Sequence, residues 1–460
     1  MNTYDTIIIG AGQGGGPLAS GFAEKGKKTA LIEKNVMGGT CINTGCTPTK
    51  ALIASATAAY NARNTGTYGV YTQDVKVDIR KVMQRKDDIV EMFREGSESG
   101  VEDVDHLDVI YGTACFSGPK TVEIALQEGG SQTISGELIF IDTGSRTMIP
   151  SMEGANQVEY YDNASIMEIE ELPKHLMIIG GGYIGLEFGQ MFRRFGSEVS
   201  IFEHGERLIA QEDEDVSEAI ADILQDEGIN IHLNCKVEKL SQQADETTLT
   251  ADFDGEKKAF TGTHLLVAAG RKPNTEGLNV AAAGVATDDK GHITVNDKLE
   301  TTAEGIYALG DVTGGLQFTH TSYNDYNILK NNLLEEGATQ TVDAGHRMTY
   351  TVFTDPQIGR AGLNERMAEE KSIAYKVAKI PMEKVARAIE TGRTQGFMKA
   401  LVDEKTDKII GASIVGMEGG EIAAALQIAM MGGLTYQQVR DAVLPHPTLM
   451  ESLNNLFMSL

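Results

Sequence analysis

Thr6-Ile7-Ile8-Ile9-Gly10-Ala11-Gly12-Gln13-Gly14-Gly15 is an apolar run that ends in G-x-G-x-x-G. The chain repeats the pattern at Leu176-Met177-Ile178-Ile179-Gly180-Gly181-Gly182-Tyr183-Ile184-Gly185. Downstream of each copy, a second apolar run closes on an acid: Thr29-Ala30-Leu31-Ile32-Glu33 and Glu198-Val199-Ser200-Ile201-Phe202-Glu203. In both copies the acid stands 23 residues after the first glycine, from 10 to 33 and from 180 to 203. Each copy reads as strand, glycine turn, helix, strand. The first glycine permits the turn, the second lets a pyrophosphate approach the backbone, and the third seats the helix close to the strand. The helix N-terminus attracts phosphate, and the acid accepts hydrogen bonds from ribose hydroxyls. One copy alone is a weak signal. Two copies with the same strand context and acid spacing predict two dinucleotide-binding folds.

Working outward, each copy closes on a similar strand and turn, Glu137 to Gly144 and His264 to Gly270. The spans from first to closing glycine are 134 residues (10 to 144) and 90 residues (180 to 270), so the first domain carries about 44 extra residues. After Pro273, Gly305-Ile306-Tyr307-Ala308-Leu309-Gly310-Asp311 is expected to return as a strand to the first sheet. From about residue 343 the texture changes, with strands expected at Tyr350–Thr354 and Phe397–Asp403 and helices across Glu421–Met431 and Tyr436–Val443. The expected architecture is α/β: a discontinuous dinucleotide-binding domain over 1–148 and 271–342, a second over 149–270, and an α+β interface domain over 343–460.

Composition bounds the function. Of 460 residues, 41% are hydrophobic and 23% charged, which is ordinary for a globular protein. Fifty-one glycines without a collagen-like period point to many tight turns. A net charge of −26 argues against nucleic acid and anionic membranes as partners, although solubility alone also accounts for it. No apolar stretch approaches the roughly 20 residues of a membrane span. Met1-Asn2-Thr3-Tyr4-Asp5 lacks the basic start of a signal peptide, so the expected address is cytoplasmic. Cys115 and Cys235 stand alone in apolar or strand-like contexts and read as buried small hydrophobes.

Cys41 and Cys46 differ. They lie in Gly38-Gly39-Thr40-Cys41-Ile42-Asn43-Thr44-Gly45-Cys46-Thr47-Pro48-Thr49-Lys50, just after the first acid-ended strand and just before an alanine-rich helix. The spacing is not a zinc-knuckle spacing, and no matching Cys or His pair exists elsewhere. A helix start stabilises thiolates, so the setting suits a redox-active dithiol. Two buried structural thiols, or half of a metal site, are the alternatives.

On these motifs, together with Gly310-Asp311 and His446-Pro447-Thr448-Leu449-Met450-Glu451, the chain resembles the class I flavoprotein disulfide reductases, the pyridine nucleotide-disulfide oxidoreductases. That family includes dihydrolipoamide dehydrogenase, glutathione reductase and mercuric reductase. The resemblance spans residues 5 to 457 and implies FAD at the first fingerprint and a nicotinamide nucleotide at the second. FAD would be held by Gly10, Gly12, Gly15, Glu33, Gly39, Thr40, Lys50, Ala114, Thr143, Gly144, Asp311 and Thr319. The nicotinamide nucleotide would be held by Gly180, Gly182, Tyr183, Ile184, Gly185, Glu203, Val237 and Gly270. No resident metal is expected. Cys41 and Cys46 would form the redox disulfide, with Cys46 facing the flavin and Cys41 exchanging with substrate. His446, oriented by Glu451 and supplied by the partner of a homodimer, would move protons. Lys50 and Glu187 would pair beside the flavin, and Tyr183 would gate the nicotinamide pocket. Asp142 departs from the family, which usually has alanine there.

Glu203 stands where an NADP 2′-phosphate would need cations, so NADH is expected, although Arg207 leaves NADPH open. Pro381 to Ala388 and Met417 to Glu421 place the chain nearest the mercuric-reductase-like branch. Against mercury as main substrate stand His446, where those enzymes tend to have tyrosine, and the absence of any cysteine beyond Cys235. The expected activity is therefore an NAD(P)H-linked reduction of a thiol or disulfide substrate. Dihydrolipoamide dehydrogenase, a metal-ion reductase and a redox-sensing flavoprotein with little turnover remain alternatives.

Overall fold

The computed structural model describes residues 2–337, 339–342 and 348–460; the expected start of the last domain, residue 343, lies outside them. The chain forms two compact units, one from 1–51, 83–148 and 270–343, the other from 52–82, 149–269 and 344–460.

The first unit is built on β1 (Asn2–Ile9), β2 (Thr29–Glu33), β3 (Leu107–Gly118), β4 (Thr121–Leu126) and β5 (Ser131–Ile141), joined by Ile306–Ala308. Its parallel part runs β3, β2, β1, β5, Ile306–Ala308, with Ile8 facing Leu31 on one side and Phe140 on the other. The expected return of residues 306–308 is observed. A parallel sheet is covered on both faces, which is why β1 reads as an unbroken apolar run. Ile8 packs with Leu18 and Phe22 of α1 (Gly15–Glu24), while Ile7 and Ile9 point into a separate core with Ile124 and Ile134. β3 and β5 each serve twice: their other halves form an antiparallel meander with β4.

α2 (Gly39–Asn43), α3 (Cys46–Arg63) and α4 (Ile79–Ser99) follow β2, and α3 contains the expected alanine-rich helix. The second unit contains a four-stranded parallel sheet ordered His264–Val267, His175–Ile179, Glu198–Phe202, Asn230–His232, with α5 (Tyr183–Phe195) after its first-formed strand. An antiparallel meander spans Lys236–Gln243, Glu246–Phe253 and Glu256–Gly262. The same unit holds a five-stranded antiparallel sheet, residues 349–352, 357–362, 409–416, 397–403 and 375–381 in order, and the helix Gly419–Met431 packs Ile422 and Leu426 into its core. The helix expected over Tyr436–Val443 stops at Arg440. Asn454 explains the stop, because its Nδ2 donates to the carbonyls of Val439, Arg440 and Ala442 at 2.9, 2.8 and 3.1 Å.

Lys399 of this sheet is fully buried and donates to Asp213, Asp215 and Glu365 at 2.8, 2.7 and 2.9 Å. Among the described residues, no helix is long and apolar enough to cross a membrane.

Candidate functional site

Both glycine loops show the expected packing. A Cβ on Gly10 would stand 2.2 Å from the carbonyl oxygen of Asp142, and one on Gly180 would stand 2.4 Å from that of Ala268. The third glycine abuts the first: a Cβ on Gly15 or Gly185 would lie 2.0 or 2.1 Å from the oxygen of Gly10 or Gly180. The middle glycines differ. A Cβ on Gly182 would meet nothing within 4 Å, whereas one on Gly12 would lie 2.9 Å from the Asp142 carboxyl.

Each acid clamps its own loop. Glu33 accepts the Ala11 N–H at 2.9 Å and the Asn35 N–H at 2.8 Å. Glu203 accepts the N–H groups of Gly181 and Gly205, both at 2.6 Å. A carboxylate oxygen has lone pairs to spare, so each acid retains capacity for ribose hydroxyls.

The cysteine loop is folded against the first fingerprint. Gly38 donates its N–H to the Ala11 carbonyl at 3.0 Å, and a Cβ on Gly39 would lie 2.8 Å from the Gly12 Cα. Both glycines have positive φ, 92° and 62°, which disfavours other residues at both. Asn43 ties the loop together by donating to the carbonyls of Met37 and Gly39 at 2.8 and 2.9 Å, while Arg94 donates to it at 2.8 Å. Gly45 has no room for a side chain, since a Cβ would lie 2.8 Å from the Thr40 carbonyl oxygen.

This folding brings Cys41 and Cys46 together. They stand as thiols, hydrogen-bonded to each other, with Cys41 partly buried and Cys46 exposed. Cys46 opens α3, and its sulfur lies 3.4 Å from Thr319 Oγ1 at the start of the helix Thr319–Leu334. The Cys41 thiol is pushed far up, first by its hydrogen bond to Cys46 and then by burial; Thr319 and the charge of Lys50 oppose this. A second thiolate beside the first is unfavourable, so the pair keeps one proton on Cys41.

Asp311 follows the strand Ile306–Ala308 and accepts the Ser145 hydroxyl at 2.7 Å, with Arg271 3.7 Å away. Gly144 has φ +65° and follows Thr143, whose Oγ1 is buried without a hydrogen-bond partner. Thr321 Oγ1, two residues past Thr319, is in the same condition. Ala114 lies in β3 opposite Ile124 with its side chain in the apolar core, leaving only backbone to offer a ligand.

In the second unit, Gly182 caps α5, and Tyr183 and Ile184 open it half-buried. Glu187 is buried and accepts the Phe353 N–H at 2.8 Å, a partner that no local pattern announces. Val237 sits at a bulge in Lys236–Gln243, packed beside Cys235. Gly270 falls in the first unit, where its carbonyl accepts the Met148 N–H at 2.9 Å. His446 is exposed, and its Nδ1 lies 2.8 and 3.0 Å from the two Glu451 oxygens. Cys235 is buried as expected, while Cys115 is only half-buried.

Two glycine loops backed by strand-end acids, with a dithiol folded onto the first, define a flavin- and nicotinamide-dependent redox protein. The pyridine nucleotide-disulphide oxidoreductase model matches residues 4–325 and its dimerisation-domain model matches residues 348–457. The chain belongs to the pyridine nucleotide-disulphide oxidoreductase family. It is 38% identical over 460 residues to the probable pyridine nucleotide-disulfide oxidoreductase RclA of Escherichia coli, covering 99% of each chain. Identity to a mercuric reductase of Staphylococcus aureus is 34% over 450 residues, covering 98% of this chain and 81% of the relative. A dihydrolipoyl dehydrogenase of Thermus scotoductus is 31% identical over 456 residues, with 98% and 96% covered. Among solved structures, a Cu(II) complex of the HOCl-induced flavoprotein disulfide reductase RclA from Escherichia coli superposes with a TM-score of 0.90 at 37% identity, covering 100% of this chain and 99% of that one. The chain is accordingly an enzyme that uses FAD and NAD(P)H in disulfide oxidoreduction.

The residues fit those groups. The space above Gly182 is open, and the orphaned Thr143 and Thr321 hydroxyls are polar atoms without protein partners beside the first fingerprint and on the dithiol-facing helix.

Proposed function

We propose that this enzyme reduces a small disulfide with electrons from NADH, with Cys41 and Cys46 as its exchanging pair. The observation that carries the reading is the hydrogen-bonded Cys41–Cys46 dithiol, held at the start of α3 on a loop packed against the first fingerprint. FAD would be held by Gly10, Gly12, Gly15, Glu33, Gly39, Thr40, Lys50, Ala114, Thr143, Gly144, Asp311 and Thr319. The nicotinamide nucleotide would be held by Gly180, Gly182, Tyr183, Ile184, Gly185, Glu203, Val237 and Gly270. When bound, FAD supplies the route by which two electrons from NADH reopen the Cys41–Cys46 disulfide.

The protein groups do the rest. His446 of the partner protomer, fixed by Glu451, takes the Cys41 proton. The Cys41 thiolate attacks one substrate sulfur; a mixed disulfide forms, the substrate S–S bond breaks, and the first thiol leaves with the proton from His446. The Cys46 thiolate then attacks the Cys41 sulfur, which releases the second substrate sulfur as a thiolate that water protonates and closes the Cys41–Cys46 disulfide. Lys50, whose charge reaches Cys41, stabilises the anionic intermediates, and Lys50 and Glu187 would act as the ion pair beside bound FAD. Tyr183 gates the nicotinamide pocket.

The reading takes the domains as 1–148 with 271–342, 149–270, and 343–460, and the enzyme as a cytoplasmic homodimer that binds neither nucleic acid nor membranes. The dimerisation-domain match supports the dimer. A metal-ion reductase is the second reading, favoured by the solved relative that is a Cu(II) complex and by a dithiol suited to a soft ion. The test is Cys41→Ser and Cys46→Ser, assayed for NADH oxidation with lipoamide, glutathione disulfide and Cu(II). Both substitutions should lower disulfide turnover by at least about a thousandfold, consistent with loss of a covalent nucleophile. Electron transfer from NADH to an artificial dye should survive. Unchanged disulfide turnover in either variant refutes the reading.

A further inference from the structure

Asp142 lies against the first fingerprint and departs from the family pattern. Its carboxyl is buried and accepts the Gly15 N–H at 2.8 Å, at the first turn of α1. It fills the space over the middle glycine, since a Cβ on Gly12 would lie 2.9 Å from Oδ2 and one on Gly310 would lie 2.9 Å from Oδ1. The second fingerprint supplies the internal comparison. Ala268 stands there in the place of Asp142, with its carbonyl against Gly180 as that of Asp142 is against Gly10, and the space over Gly182 is open. The first fingerprint therefore seats a side-chain carboxyl on the helix N-terminus to which a pyrophosphate is drawn.

We propose that Asp142 makes the enzyme's hold on FAD depend on pH: as a neutral acid it caps α1 and tolerates the dinucleotide, and as a carboxylate it repels the pyrophosphate from the same helix end. This rests on the reading that FAD occupies the first fingerprint. The charges that act most strongly on Asp142 are acidic: Asp311 after the strand Ile306–Ala308, Asp325 on the helix Thr319–Leu334, and Glu33 at the end of β2. The Gly15 N–H at the start of α1 favours the anion. Burial and these acids hold Asp142 well above the usual carboxylate range, and the two phosphate charges of a bound dinucleotide act in the same direction. Where Asp142 is ionised without FAD and protonated with it, binding takes up one proton, and affinity falls by up to about tenfold per pH unit. Below that window affinity is level.

The experiment is release of FAD from diluted holoenzyme, read as free-flavin fluorescence at equilibrium from pH 5.5 to 9. The wild type should release more FAD as pH rises. Asp142→Asn and Asp142→Ala, two neutral replacements of different size, should each flatten the profile and hold FAD more tightly than wild type at the alkaline end. Glu33→Gln is the control on the assignment and should loosen FAD at every pH. If Glu33→Gln loosens FAD while both Asp142 variants keep the wild-type slope, or if the wild-type profile is already level, the role of Asp142 is overturned. If Glu33→Gln and both Asp142 variants all match wild type, FAD is not at this fingerprint, and the reading beneath the proposal fails with it.

Discussion

Gly182→Ala separates binding from folding at the second fingerprint. The added methyl would meet no heavy atom within 4 Å, and the residue's φ of −79° is open to alanine. Gly182 caps α5 without a side-chain bond, and Ala in place of Gly at such a site exchanges a few tenths of a kcal/mol of capping for a gain of about 0.4–1 kcal/mol from the stiffer unfolded chain. Folding stability should therefore stay within about 1 kcal/mol of wild type, a shift of a few degrees or less in Tm for a chain of this size. The same methyl fills the space a pyrophosphate would occupy. Pushing the phosphate off the loop forfeits about one charge-assisted hydrogen bond from a backbone N–H, worth about 1.5–3 kcal/mol. That corresponds to a rise in KM for NADH of roughly 10- to 150-fold. Gly185→Ala is the contrast: its Cβ would sit 2.1 Å from the Gly180 carbonyl oxygen, so that variant should melt early and lose soluble protein. Steady-state NADH oxidation with a dye acceptor, paired with calorimetry, reads both quantities. A stable Gly182→Ala enzyme with unchanged KM for NADH would refute the placement of the nucleotide at this loop.

Glu203→Ala should raise the ratio of kcat/KM for NADPH over NADH by at least about tenfold, because it removes the carboxylate that repels a 2′-phosphate; an unchanged ratio would mean the ribose lies elsewhere. Glu451→Gln should lower disulfide turnover by about 10- to 100-fold and leave dye reduction intact, since it affects only the orientation of His446; equal losses in both assays would point to a folding defect instead. Lys399→Met leaves Asp213, Asp215 and Glu365 without their shared cation and should cost about 3–5 kcal/mol in denaturant unfolding. In the wild type, burial pushes Asp215 up but hydrogen bonds from Lys379 and Lys399 outweigh it and hold it below the usual range, so its contribution is present at neutral pH and is lost only as pH falls below about 3.9. In the variant Asp215 keeps only Lys379, so the deficit should shrink as pH is lowered below about 3.9, where the wild type loses the Lys399 contribution as well. A deficit independent of pH would contradict the charge argument.

The parts legible in the sequence were those in which backbone geometry dictates residue type at short range. Gly10, Gly15, Gly180 and Gly185 fill positions where a Cβ would strike backbone, and the spacing alone announces them. The return of Ile306–Ala308 to the first sheet was readable because a short apolar strand ending in Gly-Asp has few other places to go. The hidden parts depend on partners distant along the chain. Nothing near Glu187 announces that it accepts the Phe353 N–H, and nothing near Lys399 announces three acids around a buried amine. The early stop at Arg440 depends on Asn454, beyond the helix it ends. Asp142 was visible as an exception to the pattern, but its meaning came only with the packing over Gly12.

The strand order of the first sheet also bears on how the chain is made. β1 lies between β2 and β5, and β5 in turn pairs with Ile306–Ala308, so the sheet that opens at residue 2 is not finished until residue 308 has been added. The four-stranded sheet of the second unit needs only residues 175 to 267 and can complete while the first still lacks an edge. At ribosomal speeds of about 5–20 residues per second, the sheet that begins with β1 waits roughly 15–60 s for its last strand. During that interval Ile7, Ile8 and Ile9 belong to an unfinished sheet. A nascent chain arrested before residue 306 should accordingly be held by chaperones that bind exposed apolar strands.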